Sequence, residues 1–426
     1  MSNRKTVRNY RNLFVGAGFV ALLVGLAAGQ AVLKKPVVVA TAEAAAEGTP
    51  TAPRFEVDPL WPKPLPNHWV IGSTIGVWAD ADDHIWIVHR GAMTLDPKEK
   101  FLDTKKSECC ATAPQVLEFD QAGNLLRHWG GPGQGYDWPE SLHGITIDYK
   151  GNVWLAGNGP GDSHLLKFTK DGKFLMQIGK PNARRKAGAA AGGNEGDVKG
   201  FAGGSTDPVS FGRAARVFVD PKANEAYVAD GYLNKRVAVI DADTGKIKRF
   251  WGAYGNKPDD TILPAYDPSQ PLAQQFRQPV HCAEMSVDRF VYVCDRGNNR
   301  VQVFTPAGKF VKEMVVSKEA VTGIGTVFEV AFSKDPEQKY LYIADGANEK
   351  VRILDRQSLK ELTNFGDGGR QPGQFYMVHS IATDSKGNIY TTETFEGKRL
   401  QRFVFKGVGP VTKMTQGTEG VLPASK

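Results

Sequence analysis

Three histidines occupy one position of a repeated sequence pattern, and their spacing suggests a metal site. His143, His281 and His379 each precede an aromatic residue by eleven positions, in a chain of 426 residues with only eight histidines. Three neutral imidazoles that leave a fourth position open are a typical arrangement for catalytic zinc. The spacing therefore predicts zinc, or another divalent metal, that acts as a Lewis acid or activates an oxygen ligand. The alternative is three unrelated histidines that line one channel.

Two arginines and a tyrosine recur at positions that would lie on the same rim as these histidines. Arg90 and Arg296 each follow an aligned aromatic residue by four positions, and Tyr232 stands in the corresponding turn of another repeat. Arginine suits bidentate binding of a carboxylate, and a phenol near two cations and a metal could serve as a general base. The three residues predict an anion clamp and a proton-transfer group. The alternative is that they are exposed residues of repeat turns.

Six segments of the chain share one pattern of strands and turns that must position these residues. Alternating apolar residues and Gly/Asp turns predict four short antiparallel strands in each segment. One such unit cannot bury both of its faces, whereas radial stacking of six units can, so the pattern predicts an all-β, six-bladed β-propeller. The aligned aromatic residues of the second strands are Trp86, Trp154, Tyr227, Tyr292, Tyr342 and Tyr390.

The first strand of each blade is expected to line the axial channel, and this explains how distant histidines could meet. Blades 2, 4 and 6 are one third of a turn apart, so their histidines would converge on the axis. Residues 54–60 precede the first unit and the last unit is one strand short, so this N-terminal strand should close the ring. The aligned channel positions are Ile75, His143, Ala215, His281, Phe328 and His379.

Connections and cysteines near the predicted rim leave several alternatives open. The long connections 181–210 and 253–275 join the last strand of one blade to the first strand of the next, and each is either a lid or a tolerated insertion. Cys282 and Cys294 lie on consecutive predicted strands and could pair. Adjacent Cys109 and Cys110 could form a vicinal disulfide that overhangs the rim, hold a metal, or remain free or separately paired.

The N-terminal segment predicts export. The first 35 residues contain six basic residues and no acidic one, so most of the net charge of +7 lies there and no basic nucleic-acid-binding face is expected on the rest. Residues 13–33 form an uncharged run between basic flanks, as in a signal peptide or membrane anchor. We therefore predict a signal or anchor helix within 1–35, a linker over 36–53, the propeller over 54–410 and a tail over 411–426. The location would be periplasmic or extracellular, with membrane attachment if the segment is retained.

Five motif lines resemble the peptidyl-α-hydroxyglycine α-amidating lyase family in the same order. The resemblance covers roughly residues 70–405 at low identity, and the fourth line is also similar to NHL repeats. The resemblance to the lyase family implies a six-bladed propeller with zinc on His143, His281 and His379. It also implies Tyr232 as base, Arg90 and Arg296 in the active site, and Met377 in the wall of the cavity. The lines are LHGITIDYKGNVW (142–154), DGYLNKR (230–236), PVHCAEM (279–285), CDRGNNRVQVF (294–304) and MVHSIATDSKGNIY (377–390).

The resemblance implies a carbon–nitrogen lyase that converts a peptide or small-molecule α-hydroxyglycine into an amide and glyoxylate. Two positions depart from the family pattern. Ser380 stands where the family has an aspartate that supports a structural calcium, which leaves the Ile145 carbonyl as a remaining calcium ligand. Leu233 stands where the family has a cysteine.

Two classes of function are consistent with this sequence. The first is an exported metal-dependent lyase, or a hydrolase that uses the same site. The second is a non-catalytic NHL propeller that binds a protein, peptide or glycan on its rim, for which the histidines, arginines and tyrosine would be unnecessary. A calcium lactonase or a quinone enzyme is a third alternative, but the aligned channel positions lack the acidic cluster that calcium in a lactonase would need.

Overall fold

The computed structural model describes residues 49–186, 200, 202 and 204–416. Six four-stranded sheets, each with antiparallel neighbours, follow one another along the chain, so the predicted all-β six-bladed propeller is confirmed. The predicted signal or anchor helix lies outside the described residues. Across the described part of the chain, no helix has the length and hydropathy that a bilayer span requires.

In blades 1 to 5 the strands lie in chain order from the inner to the outer edge, and in blade 6 the outermost strand is β1. Blade 1 contains β3, β4, β6 and β7; blades 2 to 5 contain β8–β11, β12–β15, β16–β19 and β20–β23; blade 6 contains β24, β25, β26 and β1. Short β2 and β5 pair with each other in parallel. The bounds are β1 Thr51–Asp58, β2 Trp69–Val70, β3 Thr74–Ala79, β4 Ile85–His89, β5 Ala111–Thr112, β6 Val116–Phe119, β7 Leu125–Trp129, β8 Leu142–Ile147, β9 Asn152–Gly157, β10 His164–Thr169, β11 Phe174–Gly179, β12 Arg216–Asp220, β13 Glu225–Asp230, β14 Arg236–Asp241, β15 Ile247–Trp251, β16 Val280–Met285, β17 Val291–Asp295, β18 Arg300–Phe304, β19 Phe310–Val315, β20 Val327–Phe332, β21 Tyr340–Asp345, β22 Lys350–Asp355, β23 Glu361–Phe365, β24 Val378–Thr383, β25 Ile389–Glu393 and β26 Arg399–Pro410; 3₁₀ helices span Gly91–Met93, Pro97–Lys100, Ala253–Gly255 and Arg296–Asn298.

The N-terminal strand closes the ring as predicted. β1 pairs antiparallel with β26, from Thr51 opposite Pro410 to Asp58 opposite Arg402. An ion pair between Asp58 and Arg402 reinforces the end of this ladder. The strand begins at Thr51, three residues before the predicted start of the propeller. Blade 6 is therefore completed by residues from the two ends of the propeller.

The aligned aromatic residues fix the register of the blades. All six are at most 2% exposed, so each fills the space between its blade and a neighbour. In blades 1 and 2 the indole also donates a hydrogen bond to an aspartate of the turn between the first two strands, Trp86 to Asp80 at 3.0 Å and Trp154 to Asp148 at 2.9 Å. These contacts hold the innermost strands at one height around the axis.

The innermost strands are bulged at the aligned channel position. The pairing of first and second strands shifts at Ile75, at His143, at His281, at Phe328 and at His379. A bulge leaves one residue outside the ladder and turns its side chain away from the regular alternation. The register of the repeat therefore gives these residues a common orientation, which the alternation of an ordinary strand would not provide.

Two disulfides are present, and the pairing of Cys282 with Cys294 is confirmed. This bond joins β16 to β17 beside His281, and the second bond joins adjacent Cys109 and Cys110. Both bonds are consistent with an oxidising environment outside the cytosol.

Loss of the Cys282–Cys294 bond is expected to destabilise the propeller. The Cys282→Ala/Cys294→Ala protein should lose about 3 kcal/mol of unfolding free energy, because the bond restricts a loop of the unfolded chain. Guanidinium unfolding would measure this loss. The control is Cys109→Ala/Cys110→Ala, whose bond encloses no loop and should contribute little by this effect. Equal losses from both pairs would contradict the explanation.

Candidate metal centre

Three imidazoles from alternate blades converge at the axis. The ring centroids of His143, His281 and His379 are 4.7–4.9 Å apart. Each residue is only 2% exposed, and the candidate ligand nitrogens all lie within 4.8 Å of one another. The structure thus brings together three side chains separated by about a hundred residues or more each, in a cluster that could bind a metal.

Backbone carbonyls of the intervening blades orient these imidazoles. His143 Nδ1 donates to the Ala215 carbonyl at 2.8 Å, and His281 Nδ1 donates to the Phe328 carbonyl. His379 faces the Ile75 carbonyl, although this contact falls outside normal hydrogen-bond geometry. A carbonyl can only accept, so in His143 and His281 the proton resides on Nδ1 and the Nε2 lone pair is left for a metal. The three histidines and the three residues that provide these carbonyls alternate around the axis at the six aligned channel positions.

Two glycines permit the close backbone approaches around this cluster. A Cβ on Gly144 would lie 2.5 Å from the Ala215 carbonyl oxygen, the acceptor for His143. A Cβ on Gly231 would lie 2.0 Å from the Val280 carbonyl oxygen. Both positions therefore require a residue without a side chain. Gly144 lets the Ala215 carbonyl come close to His143, and Gly231 lets the turn that carries Tyr232 approach β16.

The environment keeps the three imidazoles uncharged. Burial lowers the pKa of His143, His281 and His379 well below the ordinary histidine value, and nearby arginine charges lower it further. Arg296 acts on all three imidazoles, and Arg90 acts on His143 and His379. At neutral pH the imidazoles are therefore in the neutral form that coordinates metals.

Tyr232 contacts the Nε2 side of the cluster. Its hydroxyl lies 2.9 Å from His143 Nε2 and 3.2 Å from His281 Nε2. Arg296 Nη1 donates to the same hydroxyl at 3.1 Å. The phenol is therefore held between two imidazoles and a guanidinium, in contact with the metal-facing nitrogens.

A cavity of about 30 Å³ lies beside the cluster, with both predicted arginines in its wall. Arg90 is fixed by the Leu142 carbonyl at 3.3 Å and the Asn158 side chain at 3.1 Å. The cavity is much smaller than a whole ligand pocket, so only the reacting end of a substrate would fit. The lining residues are Ile75, Arg90, Tyr232, Arg296, Ile324, Phe328, Met377, His379, Thr394 and Phe395.

Met377 lines this cavity at the predicted place, in an unusual backbone conformation. Its φ is 58°, a left-handed value that non-glycine residues rarely adopt. The Glu349 carboxylate accepts a hydrogen bond from the Met377 backbone N–H at 2.8 Å and thereby supports this conformation. Ile324, Thr394 and Phe395 were not anticipated, because they lie in irregular connections that carry no repeat signal.

Several other features at the predicted rim do not line this cavity. In their described parts, connections 181–210 and 253–275 contact each other through Ser205 and Asp260, and neither contributes to the cavity wall described above. The Cys109–Cys110 pair is also absent from that wall. His89 is buried and accepts from the Gly91 N–H at 3.0 Å, and burial lowers its pKa to about 4. It is a structural residue.

A second group of potential metal ligands is accounted for by ion pairs. Asp80 pairs with Lys170 at 2.7 Å, and Glu118 pairs with Arg127 at 2.6 Å. His84 Nδ1 contacts the other Glu118 oxygen at 2.7 Å. Because protein cations already neutralise both carboxylates, this group does not require a metal.

The structural calcium implied by the resemblance does not fit this chain. Arg216 donates to the Ser380 hydroxyl at 3.2 Å and to the Val77 carbonyl at 3.3 Å. It also forms ion pairs with Glu284 at 2.8 Å and Glu329 at 2.5 Å. The Arg216 guanidinium therefore lies beside Ser380. The family has an aspartate at this position, and its absence here had already weakened the expectation of a calcium site. Sequence reasoning missed Arg216, although it shares the innermost strands with the two acidic residues Glu284 and Glu329.

Fold and site together define a class of protein: a six-bladed propeller with an axial cluster of three histidines. No protein-family model matches the chain. It is 24% identical to NHL repeat-containing protein 3 of Mus musculus, over 83% of this chain and 84% of that protein. It is 25% identical to a probable peptidyl-alpha-hydroxyglycine alpha-amidating lyase of Caenorhabditis elegans, over 78% of this chain and 82% of that protein.

A further relative is peptidyl-glycine alpha-amidating monooxygenase B of Xenopus laevis, 29% identical over 79% of this chain. The chain spans only about a third of that protein's length, 34%. These relatives confirm the resemblance inferred from the motifs: the chain is an NHL-type propeller related, at low identity, to the amidating lyases.

Proposed function

We propose that this protein is an exported, zinc-dependent carbon–nitrogen lyase that converts an α-hydroxyglycine-type substrate into an amide and glyoxylate. The observation that carries the proposal is the arrangement of three neutral imidazoles, two of them oriented by backbone carbonyls, beside one phenol and two guanidinium groups. Relatives named as amidating lyases support it. Export is part of the proposal and is consistent with the two disulfides; membrane attachment through residues 13–33 would follow if that segment is retained.

The metal-binding residues would be His143, His281 and His379. Their neutral imidazoles and converging Nε2 atoms suit zinc better than a harder cation, which would prefer oxygen ligands. Zinc bound there would supply Lewis-acid polarisation of a substrate oxygen. Iron or manganese would also be compatible with three imidazoles.

The remaining residues would bind the substrate and move one proton. Arg90 and Arg296 would bind the substrate carboxylate and orient the carbinol carbon toward Tyr232. Tyr232 would take the carbinol hydroxyl proton as the C–N bond breaks, and its phenol would return that proton to the leaving amide nitrogen. The carbinol carbon becomes the aldehyde of glyoxylate, so atoms and charge balance without a further reactant.

A non-catalytic function remains the second candidate because one of the relatives is named only for its NHL repeats. In that case the rim would bind a protein, peptide or glycan. The two functions differ in what they require of the axis, since a rim-binding scaffold would need neither the imidazoles nor the phenol.

The proposal is tested by incubating the zinc-loaded protein with racemic N-benzoyl-α-hydroxyglycine. We expect equal amounts of benzamide and glyoxylate, at a rate well above that of spontaneous decomposition in a protein-free control. Removal of zinc with a chelator should reduce the rate to that of the protein-free control, and re-addition of zinc should restore the faster rate. If zinc-loaded protein releases no product from this or a peptidyl α-hydroxyglycine, the lyase proposal is wrong and the rim-binding function is favoured.

A further inference from the structure

We propose that the Arg216 guanidinium is a built-in axial cation that ties the innermost strands together, so that the ring needs no bound structural cation. This inference does not depend on the proposed lyase function. It rests on the position of one buried side chain beneath the histidine cluster.

Arg216 is buried within ion pairs from two other blades. The residue begins β12 in blade 3 and is 5% exposed. Its Nε lies 2.8 Å from the Glu284 carboxylate of blade 4, and its Nη1 lies 2.5 Å from the Glu329 carboxylate of blade 5. Glu284 and Glu329 are 6% and 2% exposed. Removal of one member of such a buried group is strongly destabilising, because an uncompensated charge would remain in the protein interior.

The same guanidinium also contacts blades 6 and 1. Nη1 donates to the Ser380 hydroxyl at 3.2 Å, and Nη2 donates to the Val77 carbonyl at 3.3 Å. The Ser380 hydroxyl in turn accepts from the Val77 N–H and donates to Glu329. One side chain of blade 3 therefore contacts the innermost strands of four other blades.

The atoms around Arg216 form a ligand set that a hard cation would also accept. Two carboxylates, one carbonyl and one hydroxyl are oxygen donors of the kind that calcium prefers. A guanidinium satisfies them from within the chain, and it remains charged at any physiological pH. Burial raises the pKa of Glu284 and Glu329, and the positive charge of Arg216 opposes this rise.

The inference predicts that removal of the guanidinium creates a calcium site. The Arg216→Ala protein should melt at a lower temperature than the wild type, and calcium chloride should raise its melting temperature by several degrees. Terbium should bind the same site and luminesce on tryptophan excitation, because Trp78 lies 5.3 Å from the Arg216 guanidinium carbon. The wild-type protein should show neither response.

Two control variants separate a cation site from simple destabilisation. Arg216→Met fills the space without charge, so it should be destabilised and gain no calcium response. Arg216→Ala/Glu329→Gln removes one carboxylate, so its calcium response should be much weaker than that of Arg216→Ala.

The wild-type protein alone can overturn the inference. After dialysis against calcium-free buffer, elemental analysis should find no stoichiometric calcium, and the melting temperature should be unchanged. One calcium per wild-type chain, or a melting temperature that falls in calcium-free buffer, would contradict a built-in cation. If Arg216→Ala does not fold alone, refolding it with and without calcium replaces the melting experiment. Equal yields in the two conditions would count against the inference.

Discussion

The His143→Ala protein is expected to fold and to lose its bound zinc. His143 supplies one of three converging nitrogens, and two imidazoles cannot complete the three-ligand site that catalytic zinc requires. Loss of a residue that merely supports a metal ligand weakens binding about 10- to 100-fold, so loss of the ligand itself should exceed about 100-fold. Zinc content by elemental analysis and glyoxylate release should fall together.

The matched control is His128→Ala, which changes an exposed histidine that packs edge-to-face against Trp69. That protein should keep its zinc and its activity. His281→Ala and His379→Ala should behave like His143→Ala, because each imidazole supplies one nitrogen to the same three-ligand site. Unchanged zinc content in all three single variants would eliminate the site.

The Tyr232→Phe protein is expected to retain zinc and to lose turnover. The phenyl ring can keep its place behind Gly231, whereas the hydroxyl that contacts His143, His281 and Arg296 is removed. Because a positioned proton-transfer group contributes about 10²- to 10⁴-fold, kcat should fall by a factor in that range. The Michaelis constant should change much less, since the arginines that would bind the carboxylate remain.

Tyr149→Phe serves as the control for this variant. Tyr149 is 50% exposed and lies in the turn at the other end of β8, away from the histidine cluster. Its kcat should match that of the wild type. Full activity of Tyr232→Phe would exclude the phenol from proton transfer and would shift the search to the two arginines.

The propeller and its histidine cluster were accessible from the sequence for a physical reason. Each blade repeats the same aromatic anchor, so a residue's distance from that anchor fixes its height along the axis. A spacing of eleven then identified the one bulged position in three blades. The sequence repeat alone was enough to predict the histidine cluster, because the aligned aromatic residue that sets this register recurs in every blade.

The carbonyl acceptors, the contribution of Ile324, Thr394 and Phe395 to the cavity wall, and the Arg216 ion pairs were not predicted. Arg216 is 68 residues from Glu284 and 164 from Ser380, and neither contact repeats in another blade. Phe395 reaches the cavity from the irregular connection between β25 and β26. Features that occur once have no internal comparison in the chain, so periodicity could not reveal them.

The alternation of histidines and carbonyls has a consequence for how such a site could change during evolution. Six equivalent positions around an axis contain two interleaved triads, and here one triad supplies imidazoles while the other supplies the acceptors that orient two of them. Because the acceptors are backbone atoms, the support that Ala215 and Phe328 give does not depend on the identity of their side chains. Side-chain substitutions at these acceptor positions can therefore accumulate while the backbone carbonyls keep the histidine ligands in place.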